Sequence, residues 1–443
     1  MRMTDVWKRD FSIQLLECAL HNNFPCCQML FQKYLHELNS SWNKLHTTLF
    51  CPTEIPECQQ PDDNGSYTNV AYTRADGATN TLHYVYSSRG LPTLLVARTG
   101  LKSNMTVDWK SFLSSNYSDV KNSVTFTQKP DYAYAVVFTK LYEYDDIEDT
   151  ADMEKVPANS SLWITHELSD VIWENSSVDF TQRLHTFNFS VVTSSSSLMF
   201  NGNGSLSFTL TIQGKDTRNS ILPHLAFNAN TSQFDVRMIG LEPAFNSSRF
   251  GLEIHLVTSL PEDTNRMDIR THKSIDDEHS PGTFEMLDWT SEGDLQMKGA
   301  FVQWKPVCYS QFDYNTRSAS KVKHYDLQNT TLALNAHPLL LYAYFGDSLS
   351  DGSLGVKALN VSYGIIGDKF YAHTGYTGWM FSVGSGLPPS DMVSLLVILV
   401  ISIGLGIPVL LIAFGGITMC VKRRRDQRDS LYSDISSPYT PIQ

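Results

Sequence analysis

The sequence predicts an all-β fold, a large or double β-sandwich, followed by a single transmembrane helix and a short cytosolic tail. Three observations predict it. Between Gly65 and Ser390, short apolar stretches are punctuated by Gly, Pro, Asn, Asp and Ser, with no convincing helical periodicity. From Met392 to Val421, thirty residues pass without a charge. A block of four basic residues follows at once. At 42% hydrophobic and 12% aromatic, the 443-residue chain is too rich in core-formers to be disordered. Its net charge of -12 is the wrong sign for gripping phosphates, so nucleic acid is not an expected partner.

Residues 1–63 read as an atypical leader with no clear signal peptide. A secretion signal needs roughly 7–15 uninterrupted apolar residues, and here Arg9, Asp10, Gln14 and Glu17 break every such stretch. Five of the seven cysteines (Cys18, Cys26, Cys27, Cys51 and Cys58) fall in this segment and could pair among themselves. Cys308 stands alone in the domain that follows, and Cys420 lies at the membrane edge. No paired cysteine or Cys/His spacing points to zinc, and no metal or other cofactor is expected.

Residues 64–390 read as a glycosylated lumenal β domain. Leu206, Phe208, Leu210 and Ile212 alternate as a half-buried strand requires, and Thr81–Tyr86 alternates likewise. Tyr134–Thr139 is short, apolar and rich in β-formers. Phe187–Val192, Leu252–Val257 and Leu339–Phe345 are further strand candidates. So many short strands exceed one immunoglobulin-sized unit, hence the large or double sandwich. Sequons N-x-[S/T] occur at Asn39 in the leader, and at Asn64, Asn104, Asn116, Asn159, Asn175, Asn188, Asn203, Asn230, Asn246, Asn329 and Asn360. All twelve precede the uncharged run, which points to a heavily glycosylated lumenal face.

Residues 391–421 read as the transmembrane helix, because about 20 apolar residues suffice to cross a bilayer. Gly404, Gly406, Pro408, Gly415 and Gly416 are tolerable in lipid and permit close helix packing. Lys422, Arg423, Arg424 and Arg425 place the C-terminus in the cytosol by the positive-inside rule. Residues 422–443 are too few to fold, and they carry two Y-x-x-Φ signals, Tyr432…Ile435 and Tyr439…Ile442. A clathrin adaptor reads such a signal as an extended segment, one pocket for the Tyr and one for the apolar residue.

Three segments invite a chemical reading. Gly346-Asp347-Ser348-Leu349 matches the nucleophile block of GDSL-type esterases, yet the only later histidine is His373 and no D-x-x-H follows. Without a base to take its proton Ser348 is not activated, and a turn explains the motif. His272 to His279 (HKSIDDEH) could bind a metal or sense pH, but adjacent strand residues face opposite ways, so an exposed acidic loop is favoured. Gln303–Tyr309 is either an aromatic binding patch or a core Trp beside an edge Pro.

These pieces resemble the glycosylated lysosomal membrane protein family. The resembling segments are TLHYVYSSRG (Thr81–Gly90), VVFTKLYEYD (Val136–Asp145), NGSLSF (Asn203–Phe208), RFGLEIHLV (Arg249–Val257), HKSIDDEHSP (His272–Pro281) and FVQWKPVCYSQ (Phe301–Gln311). YTPIQ at the end places Tyr439 and Ile442 where that family has its sorting signal. The resemblance implies a non-enzymatic, single-pass type I protein of the lysosomal membrane. It further implies an accessory subunit that binds and protects a multi-pass dipeptide transporter of the major facilitator superfamily. A cell-surface adhesion or receptor ectodomain and a membrane-anchored GDSL-like hydrolase are the alternatives. A homodimer stays open.

Overall fold

The computed structural model describes residues 43–49, 54–59, 70–177, 186–195, 200–260, 266–274, 285–292, 299–332, 338–389 and 395–435. Two compact units divide between Ser390 and Asp391. The first is built on two antiparallel sheets, with strands numbered along the chain.

One sheet runs β1 (Lys44–Leu49), β2 (Val70–Asp76), β3 (Thr81–Ser87), β4 (Thr93–Thr99), β7 (Tyr132–Asp145), β15 (Ser248–Thr258) and β22 (Gly355–Tyr363). β8 (Trp163–Glu167) pairs with the second half of β7, while β20 (Ala319–His324) and β21 (Gln328–Asn329) border β22. The other sheet runs β9 (Ile172–Ser177), β10 (Thr186–Ser195), β11 (Phe200–Gln213), β14 (Thr231–Leu241), β23 (Tyr376–Ser385), β18 (Gly299–Trp304), β17 (Glu285–Glu292) and β16 (Arg266–Lys273). β19 (Val307–Tyr309) meets β23 and pairs with β20, so the sheets join along one edge. Two small hairpins complete the strands, β5 (Met105–Val107) with β6 (Val124–Phe126) and β12 (Thr217–Arg218) with β13 (Ala226–Phe227).

Aromatic rings fill the space between the sheets. Phe138 of β7 lies 4.3 Å from Phe208 of β11 and 5.0 Å from Phe234 of β14, centroid to centroid. Tyr86 of β3 reaches Phe234, and Tyr363 of β22 reaches Trp379 of β23. Each such ring buried from water contributes roughly 1.5–3 kcal/mol.

The first sheet is buried on its outer face too. Short helices α1 (Trp109–Phe112) and α2 (Tyr117–Val120), the β5–β6 hairpin and helix α3 (Leu339–Phe345) cover it. Tyr117 stacks on Tyr342 at 4.3 Å, and Phe126 packs edge-on against Tyr344 at 5.6 Å. This double burial leaves β3 and β15 buried along their whole length and β4 along nearly all of it, polar residues included.

Three sequence expectations need correction. Leu339–Phe345 is a helix, not a strand. LLLYAYF contains no β-branched residue and no polar alternation, so its burial serves a helix lying on a sheet as well as a strand within one. The segment 1–63 does not end outside the domain. β1 pairs with β2 over its whole length, Leu45 and Cys58 join the main core, and the Asn43 amide donates to the Gly214 carbonyl at 2.8 Å. Cys58 is disulfide-bonded, while Cys308 and Cys420 are free. Finally, the chain after the basic cluster is not wholly unfolded, because its helix continues to Ile435.

The second unit is that helix, α5 (Leu395–Ile435), with Pro408 inside it. A fourth short helix, α4 (Phe370–Thr374), precedes β23 in the first unit. Among the described residues no helix is long and apolar enough to cross a membrane. In α5 the described side chains begin at Ile407. Leu410, Leu411, Ile412, Phe414, Ile417 and Met419 stand exposed along it, as do Lys422, Arg423, Arg424 and Arg425.

Candidate functional site

The end of the sandwich opposite the chain's exit through Ser385 is held by one buried cation. Arg249, at the start of β15, is 2% exposed. Its Nε donates to Asp146 Oδ2 at 2.7 Å, Nη1 to Asp368 Oδ2 at 2.9 Å, and Nη2 to Asp149 Oδ1 at 2.6 Å and the Ile365 carbonyl at 3.0 Å. The Phe370 ring lies 4.9 Å from the guanidinium carbon. Burial alone would lower the guanidinium pKa, but Asp368, Asp146 and Asp149 more than reverse it and hold the cation charged.

The carboxylates have further partners. Asp146 Oδ1 accepts from the Thr150 amide and hydroxyl, and Oδ2 from the Ala151 amide. Burial pushes the Asp146 carboxyl up, yet these amides and Arg249 together bring it below its ordinary value. Asp149 Oδ2 accepts from the Gly367 amide, and Asp368 from the amides of Ile365 and Phe370. Two loops, 146–151 and 364–370, are thereby pinned to β15. The pinning holds Asp149, Ala151, Lys369 and Phe370 at positive φ, a conformation that costs about 1–3 kcal/mol per residue unless its surroundings enforce it. Gly364 sits at φ 125°, where any side chain would strike the Arg249 guanidinium.

Against this clamp opens a cavity of about 360 Å³, with Cys308, Tyr309, Tyr363, Phe370, Tyr371 and Tyr376 in its wall. Burial pushes the Cys308 thiol up to about 12, and its Sγ–H donates to the Lys321 carbonyl. That thiol is no nucleophile at acidic or neutral pH.

A second polar cluster lies further along β15. Glu253 accepts from Thr139 Oγ1 at 2.7 Å, Tyr142 OH at 2.8 Å and His255 Nε2 at 3.1 Å. Burial works against the carboxylate, but these bonds and the His255 charge outweigh it and hold Glu253 at about 2.

Among the residues singled out from sequence, Asn104, Asn116, Asn159, Asn246 and Asn329 are exposed, while Asn230 and Asn360 are half-buried. At Asn104, Asn159 and Asn329 the engaged atom is the carbonyl oxygen, which accepts from Arg74, the Ser161 amide and Lys357 respectively. Their Nδ2, the atom an N-glycan bonds, is left without a described partner. Asn116 caps α2 through its oxygen and also donates from Nδ2 to Asp119. Asn230 Oδ1 accepts from Asn43. Asn175, Asn188 and Asn203 fall on β9, β10 and β11, with side chains outside the described residues, as are Asn39 and Asn64 altogether.

Ser348 follows α3 in a 3-10 turn, Gly346–Leu349, with Asp347 paired to Lys121. No histidine hydrogen-bonds Ser348 among the described residues. His272 Nδ1 lies 3.4 Å from Asp288 Oδ2 across β16–β17, and residues 275–280 are outside the described set. Among the described residues no three His, Cys, Asp or Glu side chains are placed to hold a metal. Trp304, Cys308 and Tyr309 belong to the interior, which favours the core reading of Gln303–Tyr309. Tyr432 and Ile435 lie on α5, while Tyr439 and Ile442 are outside the described residues. The Arg249 clamp was not found from sequence, since its partners are 103, 100 and 119 residues away.

The chain matches the family profile of glycosylated lysosomal membrane protein over residues 69–426. Glycosylated lysosomal membrane protein of Danio rerio is 33% identical over 383 residues, covering 84% of this chain and 87% of the relative. The Bos taurus protein of that name is 31% identical, covering 81% and 85%. The Homo sapiens protein is 30% identical, covering 82% and 87%. This chain therefore belongs to the glycosylated lysosomal membrane protein family.

Proposed function

We propose that the protein is a non-enzymatic accessory subunit of the lysosomal membrane. It binds a multi-pass dipeptide transporter of the major facilitator superfamily and shields it from lysosomal proteases. In this reading residues 64–390 are lumenal, residues 391–421 span the bilayer once, and the basic cluster faces the cytosol. The observation that carries it is the polarity of the chain: all twelve sequons precede the thirty-residue uncharged run, and Lys422–Arg425 follow it. The segment Leu395–Val421 of α5 is about 40 Å long at 1.5 Å per residue, enough for a hydrocarbon core of about 30 Å.

A large sandwich carrying sugars on its open faces has the bulk to cover a transporter's cleavable loops. Among the described residues no histidine bonds Ser348, and the Cys308 thiol is inert, which favours this reading over a hydrolase. Tyr439 and Ile442 are the better adaptor signal, since the Tyr432–Ile435 copy lies in helical backbone and would first have to unwind.

The test is the abundance of lysosomal transporters in cells lacking this protein, with and without lysosomal protease inhibitors. Loss of one transporter, restored by the inhibitors, is the expected result. Unchanged levels of every lysosomal transporter would overturn the reading.

A further inference from the structure

We propose that the transporter docks on the wing of the second sheet formed by β16 and β17. One of its lumenal loops lies extended along the outer edge of β16, with acidic side chains against Arg266, Arg270 and Lys273. The proposal rests on the accessory-subunit reading above and says where the partner is held.

The sequons leave this wing bare. N-glycans are bulky and keep another protein off the surface they cover. Asn104, Asn116, Asn159, Asn329 and Asn360 stand on or beside the first sheet and the short elements that cover it. Asn175, Asn188 and Asn203 fall on β9, β10 and β11, and Asn230 and Asn246 precede β14 and β15. From Ser247 to Gln328 there is no sequon, the longest such stretch within residues 64–390, and it holds β16 to β20 whole.

The chain leaves the first unit over the same wing. Gln303 Nε2 of β18 donates to the Pro389 carbonyl at 3.1 Å and to Asp288 Oδ1 of β17 at 2.8 Å. Asp288 in turn stands opposite Arg270 of β16. Two strand spacings of about 4.8 Å put β16 about 10 Å from β18. Only Ser390 and Asp391 separate Pro389 from the uncharged run, a reach of about 10 Å in extended chain. A partner in the bilayer beside that run is therefore within reach of this wing.

β16 is an edge strand. It pairs with β17 over all 8 of its residues and with no other strand among the described residues. Such an edge accepts an extended segment through main-chain hydrogen bonds. Its side chains select the segment. Every exposed ionisable side chain on β16 is basic, namely Arg266, Arg270, His272 and Lys273, in a chain of net charge -12. Asp268, on the same strand, is 25% exposed and is shared between Arg266 and Arg270. β17 sets Glu292, Asp288 and Glu285 opposite Arg266, Arg270 and Lys273. A loop with similarly spaced carboxylates would repeat on the outer edge the pattern already present on the inner one. A second copy of β16 would be repelled by its own cations, so the edge resists self-pairing while admitting an acidic partner.

The experiment is co-precipitation with the full-length glycoprotein, in mild detergent, of the transporter whose abundance falls in cells lacking this protein. Arg270→Asn with His272→Thr writes a sequon into β16, and a mobility shift reversed by glycan removal confirms the added sugar. Arg266→Glu with Lys273→Glu reverses charge without that bulk. The first is expected to abolish recovery of the transporter and the second to lower it several-fold, each with thermal unfolding unchanged. If one variant misfolds, the other still decides. Lys102→Asn with Asn104→Thr moves an existing sequon by two residues on a face that already carries one, and recovery should match the wild type. Full recovery by either folded wing variant would overturn the docking site and leave the accessory-subunit reading standing. Equal loss in the Lys102 variant would overturn the site as well. No transporter recovered with the wild type would overturn both.

Discussion

His83 shows how one side chain ties stability to acidity. It is fully buried on the outer face of β3, with its Nδ1 2.8 Å from Tyr72 OH, its Nε2 2.9 Å from Thr99 Oγ1, and Phe126 against the ring. Burial, with a smaller push from Arg74, lowers its pKa from 6.5 to about 4. A histidine with a depressed folded pKa binds its proton more readily when unfolded. Stability is therefore full above pH 6.5, falls as the pH drops toward 4, and levels off below. At about 1.4 kcal/mol per unit the loss is on the order of 3 kcal/mol. Glu253, held at about 2, loses its own contribution only as the pH falls below about 4.5, so the two effects separate. Denaturant unfolding at pH 6.5 and 4.5 should show this loss in the wild type, and His83→Gln should flatten it. An equal slope in both proteins would refute the assignment. None of this was legible in the sequence, where His83 is one more residue in an alternating strand.

At the scale of elements, legibility followed burial. Leu206–Ile212 sits in β11 of the second sheet, and its alternation marked the strand correctly. β15 is buried along its whole length although Glu253 and His255 alternate with Leu252, Ile254 and Leu256, so its sequence showed a strand and hid its second covered face. That was enough to recognise a strand but not its place between β7 and β22. The same ambiguity made α3 look like a strand, because an apolar run seven residues long fits either element. β1 was missed because KLHTTL is polar and stands among residues that fail as a signal peptide. Its role is physical: it covers the edge of β2, whose free N–H and C=O groups would otherwise invite another strand. Removing residues 1–63 strips that edge, the buried Leu45 and the disulfide of Cys58 together. We expect the shortened ectodomain to aggregate or to unfold at least 10 °C lower, each kcal/mol lost being worth about 2–4 °C in a domain this large. Thermal unfolding with light scattering measures it, and unchanged behaviour would show β1 to be dispensable.

For the whole molecule, one physical question organises the rest: which side of a bilayer each part occupies. The net charge of -12 is spread over a chain whose C-terminal unit is basic just beyond its apolar run, so the acidic excess belongs to the sandwich. Exposed leucines, isoleucines and a phenylalanine along α5 would be an aggregation hazard in water and are the ordinary surface of a helix in lipid. Sugars bond only on the lumenal side, so type I topology makes a joint prediction about modification and protection. In sealed microsomes carrying the full chain with a tag after Gln443, protease added outside should remove the tag and leave a fragment only slightly smaller. Removal of N-glycans should then shorten that fragment by several glycans' mass, because the exposed sequons Asn104, Asn159, Asn246 and Asn329 lie within it. A protected tag, or a sandwich digested from outside, would invert the topology. With it would go the argument that Lys422–Arg425 face the cytosol and that Tyr439 can meet an adaptor.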